Sequence, residues 1–149
     1  AGYGVARVGK DFRWGSNGAA ANKARALFAI NAIAPNPSYV KTAQGLVDYM
    51  LGRNPLGISY LTGFGEHSTM QPHHRVSEAD GIEAPIPGML AGGPHTGYND
   101  KKECEGRYKM PYEHKIPAKS YVDHWCSYAT NEVAINWNAA LVYALAEMQ

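Results

Sequence analysis

Asp123 and Glu132 stand nine residues apart in a stretch crowded with aromatic and amide side chains: Tyr121, Trp125, Tyr128, Asn131, Trp137 and Asn138. Aromatic rings stack on sugar faces, and carboxyl groups donate and accept protons, so this pairing suits the cleavage of glycosidic bonds. The same residues have plainer uses. Glu132 could simply cap a helix and Asp123 could hold a loop. A helix is expected from about Asn131 to Met148, because Val133, Trp137, Leu141, Ala144, Leu145 and Met148 share one face. Glu132 would then sit in its first turn, where the helix dipole favours the charged carboxylate. A proton donor needs the opposite bias, which burial or a neighbouring carboxylate such as Asp123 would have to supply.

A second cluster runs from Ser59 to Arg75. Gly63 and Gly65 permit unusual backbone geometry, and Pro72-His73-His74-Arg75 offers two imidazoles and a guanidinium from one stiff turn. Those groups could hold sugar hydroxyls or orient a catalytic carboxylate. A zinc site built from His67, His73, His74 and a cysteine is the sharper rival, but adjacent histidines diverge and no Cys-x-x-Cys spacing occurs. No Gly-x-Ser-x-Gly supports a nucleophilic serine, and Gly92-Gly93-Pro94 lacks the strand and helix that a phosphate cradle needs.

The elements that must position these groups are few. Ser16-Asn17 can cap an alanine-rich helix from Ala19 to Ile33, ended by Pro35. Ser38 is a plausible cap for a second helix to about Leu51, with Val40, Ala43, Val47 and Met50 on one face and Gly52 closing it. Together they form a helical hairpin. Residues 1–15 are Gly-rich and aperiodic. Between Arg53 and Ser127 only Ile58–Thr62 suggests a strand, and the remainder is rich in Gly, Pro, Asn, Asp and His. A loop that long is uncommon unless it is functional. Three helices with this much loop make a poor independent core, so the loop is expected to be a binding surface or to pack on something outside the chain.

The chain has 149 residues, 45% hydrophobic and 18% charged, with a net charge of +1. That describes a globular segment of one domain with no electrostatic case for nucleic acid or an anionic membrane. No apolar run reaches the length of a bilayer span. The sequence opens Ala1-Gly-Tyr-Gly without an initiator Met or a signal peptide. The opening has the look of a processed or excised start. The two cysteines, Cys104 and Cys126, could be separate thiols or a bridge pinning the polar loop to the site; a disulfide is favoured, and with it a secreted, periplasmic or cell-surface protein.

At both clusters the sequence resembles glycoside hydrolase family 9, the inverting cellulases with an (α/α)6 barrel. Tyr121, Asp123, Tyr128, Glu132, Ala134, Asn138 and Ala139 satisfy one family signature. Ser59, Leu61, Thr62, Gly65, Pro72, His73 and Arg75 meet the other, which departs only at His67, where the family has Asn, Lys or Arg. Trp14-Gly-Ser-Asn17 and Leu51-Gly-Arg-Asn-Pro55 look like further family segments. The resemblance implies an all-α chain forming the C-terminal portion of one catalytic domain, with long active-site loops. It implies Glu132 as general acid, His73 and Arg75 as sugar ligands beside the scissile bond, and Asp123 and Tyr128 as residues ordering the site; Asp123 and His73 are counted with the catalytic set, and Tyr128, His74 and Trp125 join Arg75 as sugar-binding candidates. The family's base lies in an Asp-Ala-Gly-Asp-type motif that this chain lacks, so an N-terminal chain of the same domain is the expected partner besides a β-glucan. No cofactor is required. Family members often bind calcium, but no carboxylate run at calcium-loop spacing occurs here. The rival readings are a non-catalytic glucan-binding fragment stacking sugar on Tyr98, Tyr108, Tyr112, Trp125 and Tyr128, and a structural remnant that works only when assembled.

Overall fold

Three long helices carry the core. In the computed structural model, which describes residues 5–149, α1 spans Ser16–Ile33, α2 Pro37–Met50 and α5 Ile135–Ala146, and α1 packs against both of the others. A 3-10 turn at Gly9–Asp11 precedes α1, and between α2 and α5 lie two short helices, α3 (Arg75–Ala79) and α4 (Tyr128–Asn131), a π-helical turn at Lys102–Arg107 and a 3-10 turn at Pro117–Lys119. The interface is made of small residues on α1, namely Ala20, Ala21 and Ala24, set against Leu46, Val47 and Met50 of α2 and Leu141 and Ala144 of α5, all buried. Small side chains on one helix admit the larger ones of its neighbours, the interdigitation that gives interiors their density. Of the expected stripe on α2, Ala43, Val47 and Met50 are buried, but Val40 is 37% exposed and Leu46 takes the inward position instead.

Helix boundaries follow local chemistry. α1 begins three residues earlier than its alanine run, because Gly15 serves as N-cap at φ 72°, a left-handed conformation that a larger residue would resist. The cap of α2 is Asn36 rather than Ser38: the Asn36 side chain accepts a bond from the Ser38 N–H, with Pro37 at the first helical position.

The final helix departs most from expectation. Instead of one helix from Asn131, the chain makes the single turn of α4, runs extended through Glu132 and Ala134, then starts α5 at Ile135. Two loops compete for that backbone and win it. His73 N–H bonds Asn131 O at 2.9 Å, Gly92 N–H bonds Glu132 O at 2.8 Å, and isolated β-bridges join His73 to Glu132 and Ala91 to Val133. Glu132 is therefore at the C-terminal cap of α4, outside the first turn of α5, so the helix-dipole argument does not apply to it.

Residues 58–62 do not form a strand either. Ser59 and Leu61 make isolated bridges to Leu51, Ser68 and Leu90, and among the described residues no bridge extends into a ladder. The long connection is nonetheless well anchored. Tyr60, Leu61, Leu90, Ala91 and Tyr121 enter the main core, while Cys104, Cys126, Tyr112 and Val122 form a second small cluster, in which the structure joins the two cysteines as a disulfide.

Candidate active site

Glu132 is pinched between the 73 and 91–93 segments, so its backbone is fixed from both sides. Its carboxylate Oε2 accepts a bond from Trp14 Nε1–H at 2.8 Å, across 118 positions of sequence. Among the described residues, this is the only hydrogen bond made by the Glu132 carboxyl group. The Trp14 ring lies 5.5 Å from that of Tyr128 and 6.1 Å from that of His95.

His73 faces the same place. Its Nδ1–H donates to Trp125 O at 2.7 Å, which leaves Nε2 as the atom available to a ligand. The imidazole packs 4.8 Å from Trp125 and 6.1 Å from Tyr128. Tyr128 OH donates to Asn99 O at 3.1 Å, tying the ring to the opposite loop. His73, Trp125 and Tyr128, together with Asn99, Lys102, Glu103 and Arg107, line an open cleft of about 600 Å³.

Asp123 belongs to the scaffold of this arrangement. Its Oδ2 accepts from Met70 N–H at 2.8 Å and its Oδ1 from Gln71 N–H at 3.0 Å, so both oxygens hold the loop that delivers His73. It makes no hydrogen bond to Glu132, and the proposed pairing of these two carboxyl groups gives way to this loop-holding geometry. Asn131, fully buried, joins the same network: its amide nitrogen donates to Val122 O at 2.9 Å and Gln71 O at 3.0 Å, and its oxygen accepts from Tyr121 OH. Burial, and then the charge of Asp123, push the Tyr121 phenol well above its ordinary range, so it stays a neutral donor.

Below the disulfide, Asp100 is 2% exposed and accepts from Tyr112 OH at 2.5 Å, Ser127 Oγ at 3.1 Å and Ala129 N–H at 2.8 Å. A buried carboxylate is tolerated only when so satisfied. Burial, followed by the bond to Asp100, raises the Tyr112 phenol. Tyr112 is thus a buried strut and not a stacking platform, and Tyr98 and Tyr108 pack against the same cluster.

The other expected sugar ligands divide. His74 is the N-cap of α3, its Nδ1 accepting from Ser77 N–H at 3.3 Å, which commits that ring nitrogen to the helix start. Arg75 is exposed, and its side chain makes no hydrogen bond or ion pair among the described residues. Among those residues no group of three or more His, Cys, Asp or Glu is placed to hold a metal ion, so the histidine-cysteine zinc arrangement does not form.

In Trp14-Gly-Ser-Asn17 the sequence suggests helix capping for Ser16-Asn17 and no role for Trp14 beyond the family resemblance. The structure places that segment beside Glu132: Asn17 N–H bonds Gly92 O at 2.9 Å and Asn17 Nδ2 bonds Ala91 O at 3.1 Å, next to the residue that holds Glu132. Only the long-range docking of α1 brings Trp14 there, and no local pattern announces it. Asp100, too, was invisible, being one acid among many in a loop.

An all-helical frame that sets a carboxyl group beside aromatic side chains holds the parts that cleavage of a glycosidic bond needs, and comparison with known proteins defines the class. The family model described as Glycosyl hydrolase family 9 matches residues 3–145. The chain belongs to that family. It is 52% identical over 104 residues to a xyloglucan-specific endo-beta-1,4-glucanase of Bacteroides ovatus, covering 70% of this chain and 16% of that protein. It is 41% identical over 145 residues to Endoglucanase D of Acetivibrio thermocellus, covering 97% of this chain and 20% of the relative. Among solved structures, a thermostable endoglucanase from Alicyclobacillus acidocaldarius superposes with a TM-score of 0.86 at 36% identity, over 100% of this chain and 28% of that one. These neighbours are (α/α)6 barrels, and the chain corresponds to a fragment of such a catalytic domain.

Proposed function

We propose that this chain supplies the proton donor and part of the sugar-binding wall for inverting hydrolysis of β-1,4-glucosidic bonds in cellulose or a related β-glucan. The observation that carries this is the Glu132 carboxyl group, held by Trp14 beside a cleft walled by His73, Trp125 and Tyr128. Glu132 gives its proton to the glycosidic oxygen as the C1–O bond breaks, and the leaving sugar departs as an alcohol. Water adds to C1 from the opposite face and loses a proton to a second carboxylate, which inverting enzymes hold roughly 6.5–9.5 Å from the acid. Asp123 is poorly suited to that second role, because both of its oxygens are engaged by backbone N–H groups. The base is therefore assigned to the remainder of the catalytic domain, since the chain spans only 16% of the Bacteroides ovatus relative and 20% of the Acetivibrio thermocellus one. His73 Nε2, Arg75, Trp125 and Tyr128 are assigned to the sugar.

The remainder of the domain is also the proposed partner. Ile135 is 91% exposed and Val142 66% exposed on α5, and with Val133, Ala139 and Met89 they flank an open apolar depression of about 530 Å³. Apolar surface of this kind is favourable to cover. The disulfide supports a location outside the cytoplasm. The direct test is Glu132→Gln in the whole catalytic domain. Binding of cellotetraose should survive and its hydrolysis should fall at least about 100-fold, the scale of general acid catalysis; undiminished turnover refutes the assignment.

A further inference from the structure

We propose that Trp14 is a positioning residue for the proton donor: its indole N–H holds Glu132 Oε2, leaving Oε1 to carry and deliver the proton. This rests on Glu132 being the acid. A carboxylic acid delivers its proton from one oxygen along one direction, so a donor fixed on the other oxygen selects which one is protonated. An N–H cannot bond an oxygen that carries the proton as well as it bonds the acceptor oxygen, so the 2.8 Å contact at Oε2 biases the proton to Oε1.

The setting of Trp14 is built for placement. Gly15 at φ 72° follows Trp14 directly and turns the chain into α1, and a Cβ there would come within 2.7 Å of Trp137. The start of α1 is bolted through Asn17 to Ala91 and Gly92, and Gly92 in turn bonds Glu132 O. Donor and acceptor are thus carried by segments tied to the same strip of backbone. Tyr128 and His95 flank the indole, which limits its tilt. Trp14 is 42% exposed, far more than a ring serving only the core would be.

A rival use of an exposed indole is as a sugar-stacking platform, and substrate choice separates the two. A positioned acid matters for a poor leaving group and little for an activated one, whereas a platform affects both alike. The experiment uses the whole catalytic domain and two substrates, cellotetraose and 2,4-dinitrophenyl β-cellobioside, with Trp14→Phe and, in parallel, benzothienylalanine at position 14, which keeps the ring shape and lacks the N–H. The expected result for both variants is a kcat on cellotetraose lower by about tenfold, the scale of one charge-assisted hydrogen bond. In the benzothienylalanine variant KM should stay within about twofold and the activated substrate should turn over nearly as in the parent, since deleting one N–H leaves the ring's sugar contacts in place. Unchanged kcat on cellotetraose in either variant, or equal losses on both substrates in the benzothienylalanine variant, overturns the proposal. Glu132→Gln run alongside distinguishes the two failures: if it is inactive on cellotetraose while the Trp14 variants are unaffected, only the role of Trp14 falls, and if it remains active both assignments fall.

Discussion

Asp123 spends both of its carboxylate oxygens on backbone N–H groups. Its two oxygens accept the N–H groups of Met70 and Gln71, and the loop so held carries His73 three and two residues on. Asp123→Asn replaces one acceptor with a donor facing an N–H, which both removes a charge-assisted bond and introduces a repulsive contact. Such losses run to about 1–3 kcal/mol, and a catalytic group displaced by an ångström can lose on the order of 100-fold in rate. We expect this variant of the whole domain to lose roughly tenfold or more in kcat/KM on cellotetraose while keeping its fold by circular dichroism. The motif residues Asp123, Tyr128 and Glu132 were legible from their types and spacing. What was not legible is the division of labour among them, because hydrogen bonds across 50 to 120 positions decide it.

At the scale of elements, the helices were readable where periodicity or composition is strong, as in α1 and α2. The break before α5 was not. A helix through Glu132 satisfies the apolar pattern equally well, and the chain leaves it only because Gly92 and His73 take the backbone groups. The helical glycine at position 18 follows the same logic of tertiary demand over local preference. Alanine there would gain about 1 kcal/mol in helix propensity. Its Cβ, however, would stand 2.2 Å from the Trp137 ring, which is wedged between α1 and the Gly92 segment. Overpacking costs typically 1–3 kcal/mol and more where a rigid ring cannot move. Gly18→Ala should therefore lower the melting temperature of the domain despite the better helix former.

The loop behind the disulfide carries a pH dependence. Burial pushes the Glu105 carboxyl up, but the Tyr112 N–H, the His114 imidazole and Lys101 outweigh it and bring it below its ordinary value of 4.5. A carboxylate whose folded-state value is depressed contributes stability above its unfolded value and loses that contribution as the pH falls through the folded one. Glu105→Gln should accordingly melt below the parent at pH 6. The gap should close as the pH falls below the ordinary carboxylate value of 4.5, read by calorimetry on the acid side of it.

The molecule as a whole is arranged around a cleft and leaves an apolar side open. The cleft is walled by His73, by residues 99–107 and by residues 125–128, the last two joined through the Cys104–Cys126 disulfide. Three helices with so long a connection led to the expectation of a poor core, yet the connection itself supplies Tyr60, Leu61, Leu90, Ala91 and Tyr121 to the core. The sequence could not show which surface is left, because Ile135 and Val142 read as ordinary apolar members of a helix until the structure turns them outward. With the remainder of the domain seated there, Ile135→Asp places a charge in a covered apolar contact, at a cost of several kcal/mol. Co-expressed with a chain carrying the remainder, the parent should copurify and recover glucanase activity, and the Ile135→Asp chain should do neither. Equal capture of both chains would place the contact elsewhere.

The central claim is that Glu132 donates a proton to the departing sugar, and leaving-group dependence measures that most directly. In the whole domain, Glu132→Gln should reduce kcat on cellotetraose by at least about 100-fold yet retain most of the activity on 2,4-dinitrophenyl β-cellobioside, whose leaving group needs no proton. Losses of equal size on the two substrates, or no loss on cellotetraose, would contradict it.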